Sequence, residues 1–134
     1  AEVEVAQIVI KPKVTEADKQ KVIDQLLGFK KDVLAGASFS TKAVLYSQDP
    51  GSSSSGGYYK MSKKTNFVKE FKDVAFSLNE GEISDPFETI FGFHIIYIEK
   101  IKGQEVELRH ILLVPETSSE SLKEAKEKGY ILNY

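Results

Sequence analysis

The sequence predicts an α+β domain with a small, mainly antiparallel sheet flanked by helices, in the order β-α-α-α-β-β. Three observations carry that expectation. A β-branched run opens the chain at residues 3–10 (VEVAQIVI) and ends at Lys11-Pro12. Three helical stretches with cap or stop residues follow, between residues 15 and 78. Two short apolar runs around Gly92 then read as a hairpin.

Each element has its own local reason. The opening run reads as a largely buried strand, with Gln7 on the face of Val5 and Val9. A buried Gln must find hydrogen-bond partners, and on position alone Gln7 reads as a structural polar residue. Thr15 caps the longest helix, with Glu16 and Asp18 in its first turn. Val22, Ile23, Leu26, Leu27, Val33 and Leu34 follow at helical spacing, and Gly36 stops the helix. Ser38 caps a second helix over residues 39–46, and residues 49–57 (DPGSSSSGG) are a loop by composition. That loop lacks the Gly-Lys-Ser/Thr ending of a phosphate-binding loop. Asn66 is placed to cap a third helix carrying Phe67, Phe71, Val74, Ala75 and Leu78. Residues 79–82 form a turn, and residues 86–90 and 93–101 are the hairpin strands.

Composition removes several classes of function. The 134 residues are 41% hydrophobic and 28% charged, a balance that can bury a core. Lys and Arg number 18 against 20 Asp and Glu, so the basic excess of a nucleic-acid binder is missing. Arg109 is the single arginine, which leaves no cluster of bidentate forks for phosphate. With no cysteine there is no disulfide, zinc-thiolate site or thiol nucleophile. No apolar run approaches the about 18 residues of a membrane span. The chain opens on a strand-like run rather than on a signal peptide.

The tail carries a repeat. Residues 106–115 (VELRHILLVP) repeat residues 3–12 (VEVAQIVIKP) at an offset of 103. Val, Glu, Ile and Pro are identical, and three further pairs are aliphatic in both copies. Ser118 or Ser119 can cap a charged helix that follows, with Leu122 and Ala125 on it. The offset is too long for a solenoid period. The expected organisation is one domain over residues 1–103 and the truncated start of a second over residues 104–134. The alternative is a chance likeness between two strand-then-helix starts. On the tandem reading the strand at 106–114 lacks a sheet of its own, and it is expected to pack on a neighbouring chain as an added strand.

Few residues can carry chemistry. His94 shares a strand face with Ile96 and Ile98 and reads either as a satisfied core histidine or as a catalyst. Asp49 precedes Pro-Gly and fits an Asx-type turn. Ser47, Asp49 and His94 include the residue types of a hydrolase triad, but no nucleophile elbow surrounds a serine. The two histidines, sixteen positions apart, have no metal-ligand spacing. Tyr58, Tyr59, Phe67, Phe71, Phe91 and Phe93 are the more telling set, because half of them fall in loops or turns. An apolar substrate groove explains that placement, whereas helix packing alone would explain Phe67 and Phe71.

The motifs YSQDPGS (46–52), GG (56–57), FVKEF (67–71), AFSL (75–78), GEIS (81–84), PFET (86–89) and FGFHII (91–96) follow one another in order. In this combination the chain resembles the parvulin family of peptidyl-prolyl cis/trans isomerases over about residues 3–102. The resemblance implies a parvulin-like fold and rotation about X–Pro bonds, with no metal or organic cofactor. It implies unfolded, proline-containing polypeptides as partners, and neither nucleic acid nor a membrane span. Tandem parvulin domains imply a bacterial folding factor of the periplasm or cell envelope. Tyr59, Phe67 and Phe71, with Phe91 beside them, match the apolar proline pocket. His94 matches the histidine of the final strand, Asp49 a position that is Cys or Asp, and Thr89 a polar residue bonded within the histidine network. Gln7 falls where the family usually has a second histidine, and residues 57–61 (GYYKM) depart from Gly-Gly-Asp-Leu-Gly-Trp. These two departures support a second reading, a weakly catalytic or non-catalytic chaperone on the same fold. With one histidine of the pair, activity is expected to vary little between about pH 5 and 8. Lys11 and Lys13 without an arginine cluster imply no recognition of phosphoserine before proline.

Overall fold

The computed structural model describes residues 14–116. The predicted strand at 3–10, with Gln7, and the predicted helix after Ser118 lie outside the described residues. Contacts group Val22–Val114 into one compact unit. The other unit is the chain on either side of it, described only at residues 14–21 and 115–116.

Helix α1 spans Glu16–Leu34. At its start the Asp18 amide donates to Thr15 Oγ1 at 3.1 Å and the Thr15 amide donates to Asp18 Oδ2 at 2.9 Å, a reciprocal cap. Helix α2 spans Phe39–Tyr46, capped by Ser38 as predicted, whose hydroxyl accepts from the Thr41 amide at 3.1 Å. A single 3₁₀ turn at Ser53–Ser55 leads through Gly56-Gly57 into strand β1, Tyr58–Ser62. No strand was expected there. Helix α3 is Lys69–Ala75, shorter than predicted, with Val68 rather than Asn66 at its N-cap position and no side-chain cap bond there. Thr65 Oγ1 accepts from the Ser62 amide at 2.9 Å, and this tight turn precedes an extended Val68, so the helix begins only after it. Strands β2 (Phe87–Thr89) and β3 (Gly92–Lys102) form the expected hairpin.

Strand β4, Glu105–Leu113, corrects the expectation of an orphaned tail strand. The sheet order is β1-β4-β3-β2, antiparallel throughout, so the tail strand is central in this chain's own sheet. Its backbone groups are paired on both sides, which is what an aliphatic strand of this length requires.

Period-2 alternation sorts the side chains onto two faces. Phe93, Ile95, Ile111 and Leu113 join Val22, Leu26, Phe39 and Ala43 in one apolar cluster. On the opposite face Ile96, Ile98, Val106, Leu108 and Met61 pack with Phe71 and Ala75 of α3. His94 and His110 lie on this second face, and Ile96 is the direct partner of His110 across the strands. The histidines are therefore diagonal neighbours.

One glycine sets the approach of loop and strand. Gly57 has φ +78°, its carbonyl accepts from the His110 amide at 3.0 Å, and a Cβ there would lie 2.2 Å from the His110 carbonyl oxygen. Gly57→Ala is expected to lower stability by at least about 2 kcal/mol in urea denaturation, through both the left-handed backbone and the clash. Gly28→Ala, inside α1 with nothing within 4 Å, should instead raise it by about 0.5–1 kcal/mol. Equal effects at the two sites would contradict this account.

Candidate active site

The chain leaving α2 runs beside the end of β4. The Gln48 amide donates to the Leu112 carbonyl at 2.7 Å, and the Leu112 amide donates to Ser47 Oγ at 3.1 Å. Ser47 is thus committed to backbone, and no Ser47–Asp49–His94 triad is assembled. The same pairing carries Asp49 to the histidine face.

Asp49 collects donors. Its Oδ2 accepts from Ser52 Oγ at 2.6 Å, from the Tyr59 hydroxyl at 2.7 Å and from His110 Nε2 at 2.9 Å. Its Oδ1 accepts from the Gly51 amide at 3.1 Å, so the expected Asx turn is present as well. Burial alone would push this carboxyl up. The hydrogen bonds from Ser52, Tyr59, His110 and Gly51 more than offset it and bring it down to about 2. Burial, with the bond to Asp49, pushes the Tyr59 phenol up, so it stays a donor.

From Asp49 the network runs inward. His110 Nδ1 lies 3.4 Å from His94 Nδ1, and His94 Nε2 lies 2.7 Å from Thr89 Oγ1. Both imidazoles are 1% exposed. An ionised Asp49 requires a proton on His110 Nε2, which leaves His110 Nδ1 as acceptor. His94 Nδ1–H then donates to it, and Thr89 donates its hydroxyl proton to His94 Nε2 while accepting from the Phe91 amide at 3.1 Å. Every ring nitrogen is satisfied with both histidines neutral. Burial dominates the titration of each: His94 is brought down to about 3, since a charge on it would also be repelled by one on His110, and His110 is lowered despite Asp49 beside it.

Aromatic rings cover this network. Phe71 is fully buried and sets its edge against His94 and His110, with centroids 5.3 and 5.2 Å away. Tyr59 stacks on His110 at 5.0 Å. Phe67 meets Phe71 edge-on at 4.8 Å and lies parallel to Phe91 at 6.1 Å. Phe91 is 46% exposed and Ile90 beside it 84% exposed, so the rim is open and apolar.

Asp49, His94, Thr89, Tyr59, Phe67, Phe71 and Phe91 are thus brought together in one place. Gln7 lies outside the described residues, and the ring paired with His94 belongs to His110. Sequence reasoning missed His110 and Ser52. The repeat was the signal for His110, because the offset of 103 sets it at the position of Gln7. Nothing separated Ser52 from the other serines of its loop.

Residues 8–100 match the family described as the rotamase, PPIC-type PPIASE domain. The chain belongs to this family. It is 41% identical over 92 residues to chaperone SurA of Pseudoalteromonas translucida, covering 68% of this chain and 21% of that protein. It is 48% identical over 63 residues to foldase protein PrsA of Geobacillus kaustophilus, covering 47% and 22%. The chain therefore spans about a fifth of the length of these relatives. Among solved structures, the PrsA peptidylprolyl isomerase of Bacillus cereus aligns with a TM-score of 0.49 at 26% identity, over 81% of this chain and 36% of that one. Among the described residues, no helix is long and apolar enough to cross a membrane.

The neutral histidine pair has a thermodynamic consequence. Both histidines are lowered on folding, so below their ordinary value of 6.5 the unfolded chain binds more protons than the folded one. Stability then falls as pH drops through that range. Asp49 adds the same sign lower down, since its stabilisation is lost between its ordinary 3.8 and about 2. Denaturation from pH 7 to pH 5 should show a slope that steepens to at least about 1.4 kcal/mol per pH unit, the share of His94 titrating only in the unfolded chain, with His110 adding to it in the same direction. A flat profile over that range would contradict a buried neutral pair.

Proposed function

We propose that this domain catalyses cis/trans isomerisation of X–Pro bonds in unfolded polypeptides. The observation that carries the proposal is the hydrogen-bonded run from Asp49 through His110 and His94 to Thr89, lying under an open aromatic site. Family membership and the relatives named chaperone and foldase support it. They also support a place among folding factors of the cell envelope.

The reaction breaks no bond. Amide resonance raises a barrier of about 18–20 kcal/mol, and it does so by placing negative charge on the carbonyl oxygen and double-bond character on C–N. Phe67, Phe71, Tyr59 and Phe91 offer the proline ring an apolar seat, fixing one side of the rotating bond. Asp49 stands at the edge of that seat as a carboxylate fixed by four donors. Facing the substrate carbonyl, its charge disfavours the resonance form that keeps the amide flat. The twisted transition state has lost that resonance and is favoured in relative terms.

The two departures behind the chaperone reading look different at the site. A histidine, His110, pairs with His94, and Tyr59 is built into the Asp49 network instead of obstructing it. The shallow pH dependence is still expected, for another reason: two buried histidines face each other and burial lowers both below the ordinary histidine value.

In a proline tetrapeptide assay the chain should accelerate exchange above buffer. Asp49→Ala and Phe67→Ala should each lower kcat/KM by about 10- to 100-fold, the size of one lost electrostatic or anchoring contact. Activity equal to buffer would overturn the proposal, and unchanged kcat/KM in both variants would displace the site.

A further inference from the structure

The aromatic site continues into a second depression. A groove of about 470 Å³ extends from Phe67 along α3, lined by Lys63, Phe67, Lys69, Lys72, Asp73 and Phe76. Phe67 belongs to both, since its ring also meets Tyr59, Phe71 and Phe91. The lining joins two aromatic rings to three ammonium groups. Lys72 is held in place by donating to the Lys63 and Thr65 carbonyls, and among the described residues no carboxylate pairs with it. Lys63 lies over the Phe76 ring at 6.0 Å from its centroid. Lys69 pairs with Asp73 at 2.7 Å, and both side chains are largely exposed. Glu70 also acts on Lys69. Even so, positive groups outnumber negative ones along the groove.

We propose that this groove is the subsite for the chain flanking the proline, and that it selects a flank carrying a glutamate or aspartate. The inference rests on the isomerase reading and adds a substrate preference to it. The geometry suits such a flank. Helix α3 has seven residues and is about 10 Å long, the span of about three extended residues. The Phe67 and Phe76 rings take the methylene stem of a glutamate, and Lys63 and Lys72 face its carboxylate. The near-neutral whole chain does not mask this, because only local charge acts within a Debye length of about 8–10 Å.

The test uses peptides alike except for one residue, Glu, Ala or Lys, placed two or three positions to either side of proline. On at least one side kcat/KM should fall in the order Glu, Ala, Lys. Glu and Lys should differ by about three- to fivefold at low salt, the scale of an exposed ion pair, and the difference should shrink at high salt. Lys63→Glu, a surface change away from the Asp49 network, should reverse the order. Affinities of the same peptides by fluorescence anisotropy should follow the same order whether or not they are turned over. Equal affinities for Glu and Lys peptides, or an order untouched by Lys63→Glu, would overturn the proposal. Ordered binding without turnover would support the subsite and count against the isomerase reading alone.

Discussion

The hydrogen bond from His110 Nε2 to the Asp49 carboxylate decides the state of everything behind it. Because Asp49 is ionised, His110 must donate there. Because His110 donates there, its other nitrogen must accept from His94, and Thr89 must give its proton to His94. One carboxylate thus sets the direction of three successive hydrogen bonds and the tautomer of two buried rings. The energetic reason is that a buried polar atom without a partner costs about 1–3 kcal/mol, and the alternative directions leave at least one such atom facing another of its own kind.

That dependence explains features of the backbone that otherwise look unrelated. Asp49 reaches the sheet only because residues 47–48 bond to the end of β4. The loop returns past the same strand at Gly57, where a side chain would collide with the His110 backbone. On the opposite face of β4, Arg109 donates to the Ser55 and Gly56 carbonyls and pairs with Glu99 at 2.6 Å. Adjacent residues of one strand therefore do complementary work. His110 points into the network, and Arg109 holds the loop that supplies Asp49 and Ser52. The single arginine, useless as a phosphate cluster, serves as a fork to backbone oxygens.

Features that depend on neighbouring residues were readable in the sequence. Thr15, Ser38 and Gly36 mark helix ends through contacts within a few positions, and the hairpin around Gly92 is local too. Period 2 correctly placed His94 with Ile96 and Ile98. The motifs brought Asp49, His94, Thr89 and the aromatic set together. What could not be read was long-range pairing. A strand pattern states that a segment wants two neighbours, not which slot in a sheet it fills. The tail strand was therefore left without a sheet, although it occupies the centre of one. Tyr58–Ser62 escaped as a strand because its hydrogen-bond partner lies almost fifty residues away at β4. Asn66 looked like a cap, but the tight turn before it delays the helix.

The two copies of the strand pattern carry different residues, Gln7 and His110, at the matching position. Either side chain has the valence this place demands. An imidazole with its proton on Nε2 donates to Asp49 and accepts from His94. A carboxamide can do the same with its NH₂ and its carbonyl oxygen. The direction of the network is therefore compatible with both, and hydrogen-bond logic alone does not require histidine. The difference lies in the rings. His110 offers a flat face on which Tyr59 stacks at 5.0 Å and against which Phe71 sets its edge, and an amide cannot supply that aromatic contact. The contribution special to His110 is then the positioning of Tyr59 and Phe71, two members of the proposed proline seat, as much as any proton it carries. A buried histidine held neutral through the physiological range acts here as a polar aromatic, bonding along its edges and packing through its face.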